Sequence, residues 1–189
     1  MLFRYQLVYF LLCLTILSGC SNLPNGLKPI DDFDLDRYLG EWYEIARLDH
    51  SFERGLYDVR ANYALRADGG IEVKNFGVLS TGTLKEATGK AYFIGSKQLG
   101  HLKVSFFGFF YSSYIIFFAD EDYQTAFVAG GNHSYLWLLS RDRFISESTR
   151  DHFIELTTSL GFNTDNLIWG VQRPDHCRYT GISSDQDPC

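Results

Sequence analysis

Polar and apolar residues alternate singly along much of this chain. Val59, Ala61, Tyr63 and Leu65 are interleaved with Arg60, Asn62, Ala64 and Arg66, after which Ala67-Asp68-Gly69-Gly70 supplies a turn. Ile71, Val73 and Asn75 then alternate with Glu72 and Lys74, and Leu102, Val104 and Phe106 with Lys103 and Ser105. A period of two puts successive side chains on opposite faces of an extended strand, so these stretches predict strands in a meander. Gly40-Glu41-Trp42-Tyr43-Glu44-Ile45-Ala46-Arg47 reads as the first strand, with Trp42, Glu44, Ala46 and Leu48 on one face and Tyr43, Ile45 and Arg47 on the other.

Three later strands, Tyr114 to Ala119, Thr125 to Ala129 and Tyr135 to Leu139, are apolar on both faces and need a cover on their outer side. The cover expected is a helix over about 146–160, where Phe153, Leu156 and Leu160 form a stripe at helical spacing with Ile154 beside it. Ser146 is placed to cap its start and Gly161 to end it, and a final strand is expected over Asn166 to Gln172. The fold class is therefore all-β: an antiparallel up-and-down barrel with one C-terminal α-helix outside, closure removing the unpaired edges of the sheet.

An indole at the closed end of such a barrel fills the floor and offers a π face to a cation. Arg141, at the end of a later strand, is the partner expected for Trp42. Alternation anchored on these two residues gives an inward set of Tyr63, Val73, Phe106, Tyr114, Ile116, Phe127, Tyr135 and Trp137. The set suits a ligand with a long apolar part and a small polar head, but inward aromatics could equally fill a small barrel as an ordinary core. Glu44 is aimed inward near the floor, where a carboxylate needs a partner, and a tyrosine hydroxyl, an arginine or a ligand head group are the candidates.

With 46% hydrophobic and 21% charged residues, the composition is that of one globular domain. Residues 1–19 differ: Arg4 and the apolar run Leu7 to Leu17, short for a membrane span, read as a signal peptide. Leu17-Ser18-Gly19-Cys20 resembles a bacterial lipobox, which implies diacylglycerol on Cys20; the alternative is an ordinary signal with a chance cysteine. Loss of Arg4 from 17 basic residues leaves 16 against 23 acidic, a mature charge near −7. Nucleic acid is not expected as a partner, and membrane attachment must come from the acyl chains rather than from charge. Ser21 to Lys28, with Pro24, Asn25 and Gly26, reads as a flexible tether within a leader of residues 20–32. Cys177 and Cys189, in a polar tail over 174–189, either form a disulfide or remain two uninvolved thiols.

Gly40-Glu41-Trp42-Tyr43, Asp122-Tyr123 and Ser140-Arg141 look like the three signature regions of the lipocalin family. Phe52-Glu53-Arg54-Gly55, Gly89-Lys90-Ala91-Tyr92-Phe93, Lys103-Val104-Ser105-Phe106-Phe107-Gly108 and Tyr135 to Arg141 extend the resemblance to the bacterial outer-membrane lipocalins, over about residues 33–173. It implies eight strands, whose interior just holds one small ligand. It further implies fatty acids or lysophospholipids as ligands, allows a homodimer and, with Ser21 after the cysteine, implies sorting to the outer membrane, facing the periplasm. His50 to Leu56 would then sit at the barrel mouth, as a lid or a plain surface loop. The aromatic run Phe106 to Tyr111 would lie at a strand connection, where outward members could meet a partner subunit or the membrane. Phe109 stands where the subfamily usually has proline, and Ser112-Ser113 where it has glycines.

Catalysis finds little support. There is no Gly-x-Ser-x-Gly elbow, and His50, His101, His133, His152 and His176 lack metal-binding spacing and read as surface residues. No catalytic residue, metal or cofactor is expected. The functional classes that remain are a lipid-anchored carrier of amphiphiles, an envelope interaction lipoprotein with a filled barrel and, last, a cavity enzyme.

Overall fold

The computed structural model describes residues 23–170; the signal peptide, Cys20, Cys177, Cys189 and the C-terminal tail lie outside the described residues. A short helix α1 (Leu35–Tyr38) leads into β1 (Gly40–Arg47), β2 (Leu56–Leu65), β3 (Ile71–Leu79), β4 (Leu84–Phe93), β5 (His101–Phe107), β6 (Phe110–Ala119), β7 (Thr125–Ala129) and β8 (Leu136–Ser140). Helix α2 (Glu147–Ser159), a 3-10 turn (Thr164–Asn166) and the two-residue β9 (Ile168–Trp169) follow. Each of β1 to β7 pairs antiparallel with its successor and β8 returns to β1, so the eight strands close. β9 adds to β1 outside this ring through Ala46 and Arg47.

Two apolar clusters share the wall. Inside lie Trp42, Tyr63, Ile71, Val73, Ala91, Leu102, Ile116, Ala126, Val128 and Leu139. Outside, Ile45, Ala46, Ile115, Phe127, Leu136 and Leu138 pack under Phe153 of α2, with Leu156 and Leu160 at its margin. Ser146 caps α2 by accepting from the Thr149 N–H, and Gly161 follows its end at φ +86°.

The register shifts at four places, and two of these β-bulges bear on the face beneath α2. Glu44 pairs with Leu139 but Ala46 with Leu138, so Ile45 is the extra residue. Trp42 and Glu44 face inward as expected; beyond the bulge Ala46 and Leu48 turn outward and Arg47 inward, the reverse of the simple alternation. A second bulge between Ile116 and Phe118 puts Phe117 and Phe118 together on the outer face. Phe127 is the casualty: it pairs with Leu138 and stacks on Phe118 beneath α2, while Val128, opposite Trp137, faces inward in its place.

At the closed end the Arg141 guanidinium lies 3.9 Å from the Trp42 ring centroid. It donates to the carbonyls of Glu41 at 2.6 Å and of Arg37 and Leu39 at 2.7 Å each. Trp42 Nε1 donates to the Tyr38 carbonyl at 2.8 Å. Gly40 is fixed by this lock, because its φ is +95° and a Cβ there would stand 3.4 Å from Arg141 Nη1. Tyr123 also adopts positive φ and accepts from the Asp34 N–H, whereas Asp122 is exposed and offers its carbonyl to Gln124.

The leader over 23–32 is packed on the barrel rather than free. Leu27 is 3% exposed within the outer cluster. Ile30 donates to the Ile116 carbonyl at 3.0 Å and accepts from the Gly100 N–H at 2.8 Å.

Replacing Arg141 with alanine removes the stack and these charged hydrogen bonds together, and a loss of about 3 kcal/mol is expected in denaturant unfolding, with lysine restoring only part of it. A loss below about 0.5 kcal/mol, the scale of an ordinary surface substitution, would show that the floor stands without the lock.

Candidate functional site

The interior widens from a sealed floor to an accessible mouth. Tyr63, Val73 and Ile116 are buried near the floor. Phe106, Tyr114, Tyr135 and Trp137 face inward yet are only half-buried, as are Ala61 and Val104. Nearer the mouth Ala87, in register with Asn75 and Ala61, and Ser112, opposite Val104, are exposed although they point inward. Inward side chains keep accessible surface in a closed barrel only when the lumen is open to solvent. Gly89 helps shape this wall: a Cβ would stand 2.8 Å from the Phe106 ring, so glycine lets that ring lie against β4.

Polar groups gather in two places. At the floor the Tyr114 hydroxyl is 2.7 Å from those of both Tyr38 and Tyr63. Burial raises all three phenols, Tyr63 to about 12, so the triad is neutral at physiological pH. On the β1–β8 wall Arg47 Nη1 donates to Glu44 Oε1 at 2.5 Å and Nη2 to the Glu53 carbonyl at 3.0 Å. Glu53 Oε2 lies 2.8 Å from His50 Nε2 and accepts from the Trp137 indole N–H at 3.1 Å. Arg47, Glu44, His50 and Glu53 are all at least nine-tenths buried.

Burial and the neighbouring Glu53 carboxylate raise Glu44 well above the ordinary carboxyl range, Arg47 offsetting only part. Burial would raise Glu53 too, but His50, the Trp137 indole and Glu44 reverse this and leave it below its ordinary value. The pair is thus polarised, protonation being favoured at Glu44 and ionisation at Glu53.

The same cluster fixes the connection between β1 and β2. Phe52 stacks on His50 with centroids 4.1 Å apart and on Tyr135 at 6.1 Å, while remaining 58% exposed. This loop is anchored to the mouth at His50 and Glu53, which a plain surface loop would not be. His50 and His101 are both buried, correcting their reading as surface residues: His50 sits between Phe52 and Trp137, and His101 pairs across the sheet with Ile115.

Sequence reasoning missed Tyr38, Arg47, His50 and Glu53. A signal was present, since Glu44, Arg47, His50 and Glu53 recur at intervals of three. On a regular strand that spacing separates Glu44 from Arg47; the bulge at Ile45 brings them to one face. Asn75 was also passed over: it faces the lumen between Ala61 and Ala87, and its Oδ1 is buried without a hydrogen-bond partner.

Comparison with known proteins bears on this geometry. Residues 33–172 match the family described as Lipocalin-like domain. The chain is 51% identical over 168 residues to Outer membrane lipoprotein Blc of Vibrio cholerae serotype O1, covering 88% of this chain and 98% of that one. It is 46% identical over 162 residues to Outer membrane lipoprotein Blc of Escherichia coli K12, covering 84% and 91%. Among solved structures, insecticyanin from the tobacco hornworm Manduca sexta superposes with a TM-score of 0.66 at 20% identity, covering 84% of this chain and 90% of that one, a likeness of fold alone.

Because the folded pKa of Glu44 is raised, its protonation contributes stability that is complete below the unfolded value, about 4.3, and lost as pH rises through the folded value. Glu44→Gln keeps the hydrogen-bonding shape and removes that loss. The melting temperature of the variant relative to wild type should therefore climb between pH 5 and pH 8. A difference that stays flat over this range would mean that Glu44 is ionised throughout.

Proposed function

The chain belongs to the lipocalin family, and on that premise we propose that it is a lipid-anchored outer-membrane lipoprotein whose barrel carries single-chain amphiphilic lipids, fatty acids or lysophospholipids, for storage, transport or membrane maintenance. The observation that supports this most directly is the half-buried, inward-facing wall of a closed barrel, since a barrel filled by its own side chains would leave no such surface. The wall of β3 to β6, with Val73, Val104, Phe106, Tyr114 and Ile116, suits an acyl chain. Tyr135 and Asn75 offer polar contacts for a head group. Burial of about ten methylenes contributes roughly 8 kcal/mol gross at about 0.8 each, which after association costs leaves an affinity near micromolar.

The anchor in this reading is diacylglycerol on Cys20, and the names of the two bacterial relatives support an outer-membrane site. The role is one of binding rather than catalysis. Phe127, buried beneath α2, is no part of the proposed ligand contacts, and Glu44 acts through Arg47 and Glu53 rather than by touching the ligand.

Of the three tryptophans, Trp42 is sealed in the floor, Trp169 pairs outside on β9, and Trp137 faces the lumen. Titration with lysophospholipid should quench Trp137 saturably, and Trp137→Phe should abolish most of the change. Lipid extracted from the denatured lipoprotein should contain the same class in stoichiometric amount. An empty extract together with no response to any single-chain lipid would replace the carrier with a filled-barrel interaction protein.

A further inference from the structure

The three most exposed large apolar side chains among the described residues sit together. Phe107, Phe109 and Phe110 are 77%, 97% and 84% exposed, at the tip of the hairpin joining β5 to β6 around Gly108. By strand direction this tip lies at the open end, with the 48–55 loop and the β7–β8 connection. Below it on the outer face, Tyr111 is flanked by Lys103 and Lys90, whose Nζ atoms lie 5.1 and 6.0 Å from its ring. An aromatic tip above a tyrosine and lysine collar is the arrangement that places rings at acyl-chain depth and ammonium groups at lipid phosphates.

The leader supplies the second constraint. Pro24 and Leu27 are both buried and the Leu27 N–H donates to the Pro24 carbonyl at 3.0 Å, so Cys20 lies four residues from a fixed point. Four residues reach about 14 Å at full extension. Three residues past Leu27, Ile30 is hydrogen-bonded to Ile116 of β6, the strand that begins at Phe110. The leader is thus tied to the strand that carries the hairpin.

We propose that the 107–110 hairpin is a membrane-docking element: its phenylalanines enter the leaflet that holds the Cys20 acyl chains and set the barrel mouth against the lipid surface. The occupant is a bilayer rather than a second copy of the chain, because the tip is narrow, carries its lysine collar on one side, and belongs to the strand to which the leader of the acyl anchor is tied. Docking is apolar in origin, since the mature chain is acidic and the collar supplies two lysines. Phe106, Val104 and Ser112 line the lumen directly behind the hairpin, so a single-chain lipid would pass between leaflet and cavity without crossing bulk water. The inference rests on the acyl anchor of the preceding reading and not on the identity of the ligand.

Its test uses the full lipoprotein with Phe109→Trp, reconstituted in phosphatidylethanolamine and phosphatidylglycerol vesicles that contain lipid brominated in the upper acyl chain, and read as a difference from wild type. Bromine should quench the added indole by about twofold or more while iodide in solution does not reach it. Phe107→Ser and Phe110→Ser in the same background should return the indole to iodide, with an unchanged melting temperature showing that the barrel is intact. An indole open to iodide and untouched by bromine overturns the proposal, as does one hidden from both in a particle of doubled mass, which would make the tip a self-association surface. Mass spectrometry of the same sample separates the two readings: quenching by bromine without acyl chains on Cys20 would remove the anchor and leave the hairpin as a docking element in its own right.

Discussion

A single cation over a single indole holds the closed end of this barrel. Arg141 is the first residue beyond β8 and Trp42 lies near the start of β1, so their contact joins the two ends of the meander where β8 meets β1. The guanidinium also gathers three carbonyls of the segment from Arg37 to Glu41, which would otherwise be left unpaired at the turn from α1 into β1. Among the described residues Arg141 makes no ion pair, and the ring face and main-chain carbonyls are its partners. With the floor sealed in this way, accessible interior surface concentrates toward the mouth.

Much of this was legible in the sequence. The meander, the outer helix with its Ser146 cap, and the Trp42–Arg141 pair follow from period, turn chemistry and motif order, which are local properties. What escaped was set by register. Phe127 was assigned inward because its alternation was continued across a connection, yet its partner strand offsets it by one and pairs it with Leu138. Arg47 was assigned outward because nothing in Glu44-Ile45-Ala46-Arg47 announces an inserted residue. Bulges are decided by how opposing strands meet, and a single sequence carries little trace of that.

The two bulges have a common logic. Each puts two consecutive apolar residues, Ile45 with Ala46 and Phe117 with Phe118, on the face covered by α2, enlarging the apolar seat for the helix. At Ile45 the cost is an inward arginine, which is accommodated by Glu44, Glu53 and the loop between β1 and β2. The ionic cluster at the mouth is thus the inner consequence of an outer packing demand. It also clamps that loop, since Glu53 contacts β8 through Trp137 and β1 through Arg47 at once.

The strapped leader has a mechanical side. Any tension transmitted through the leader meets the fold first at the buried Leu27 and at Ile30, and the main-chain bonds of Ile30 to Gly100 and Ile116 tie it to the barrel wall. Load along the leader must therefore break these two bonds and unseat Leu27 before it can reach Phe33 and the helix that closes the floor. A pull of the kind that a fluctuating surface exerts on a tethered body would be spent on peeling the strap, and the indole and guanidinium beneath would not feel it. The leader works as a strain relief for the seal.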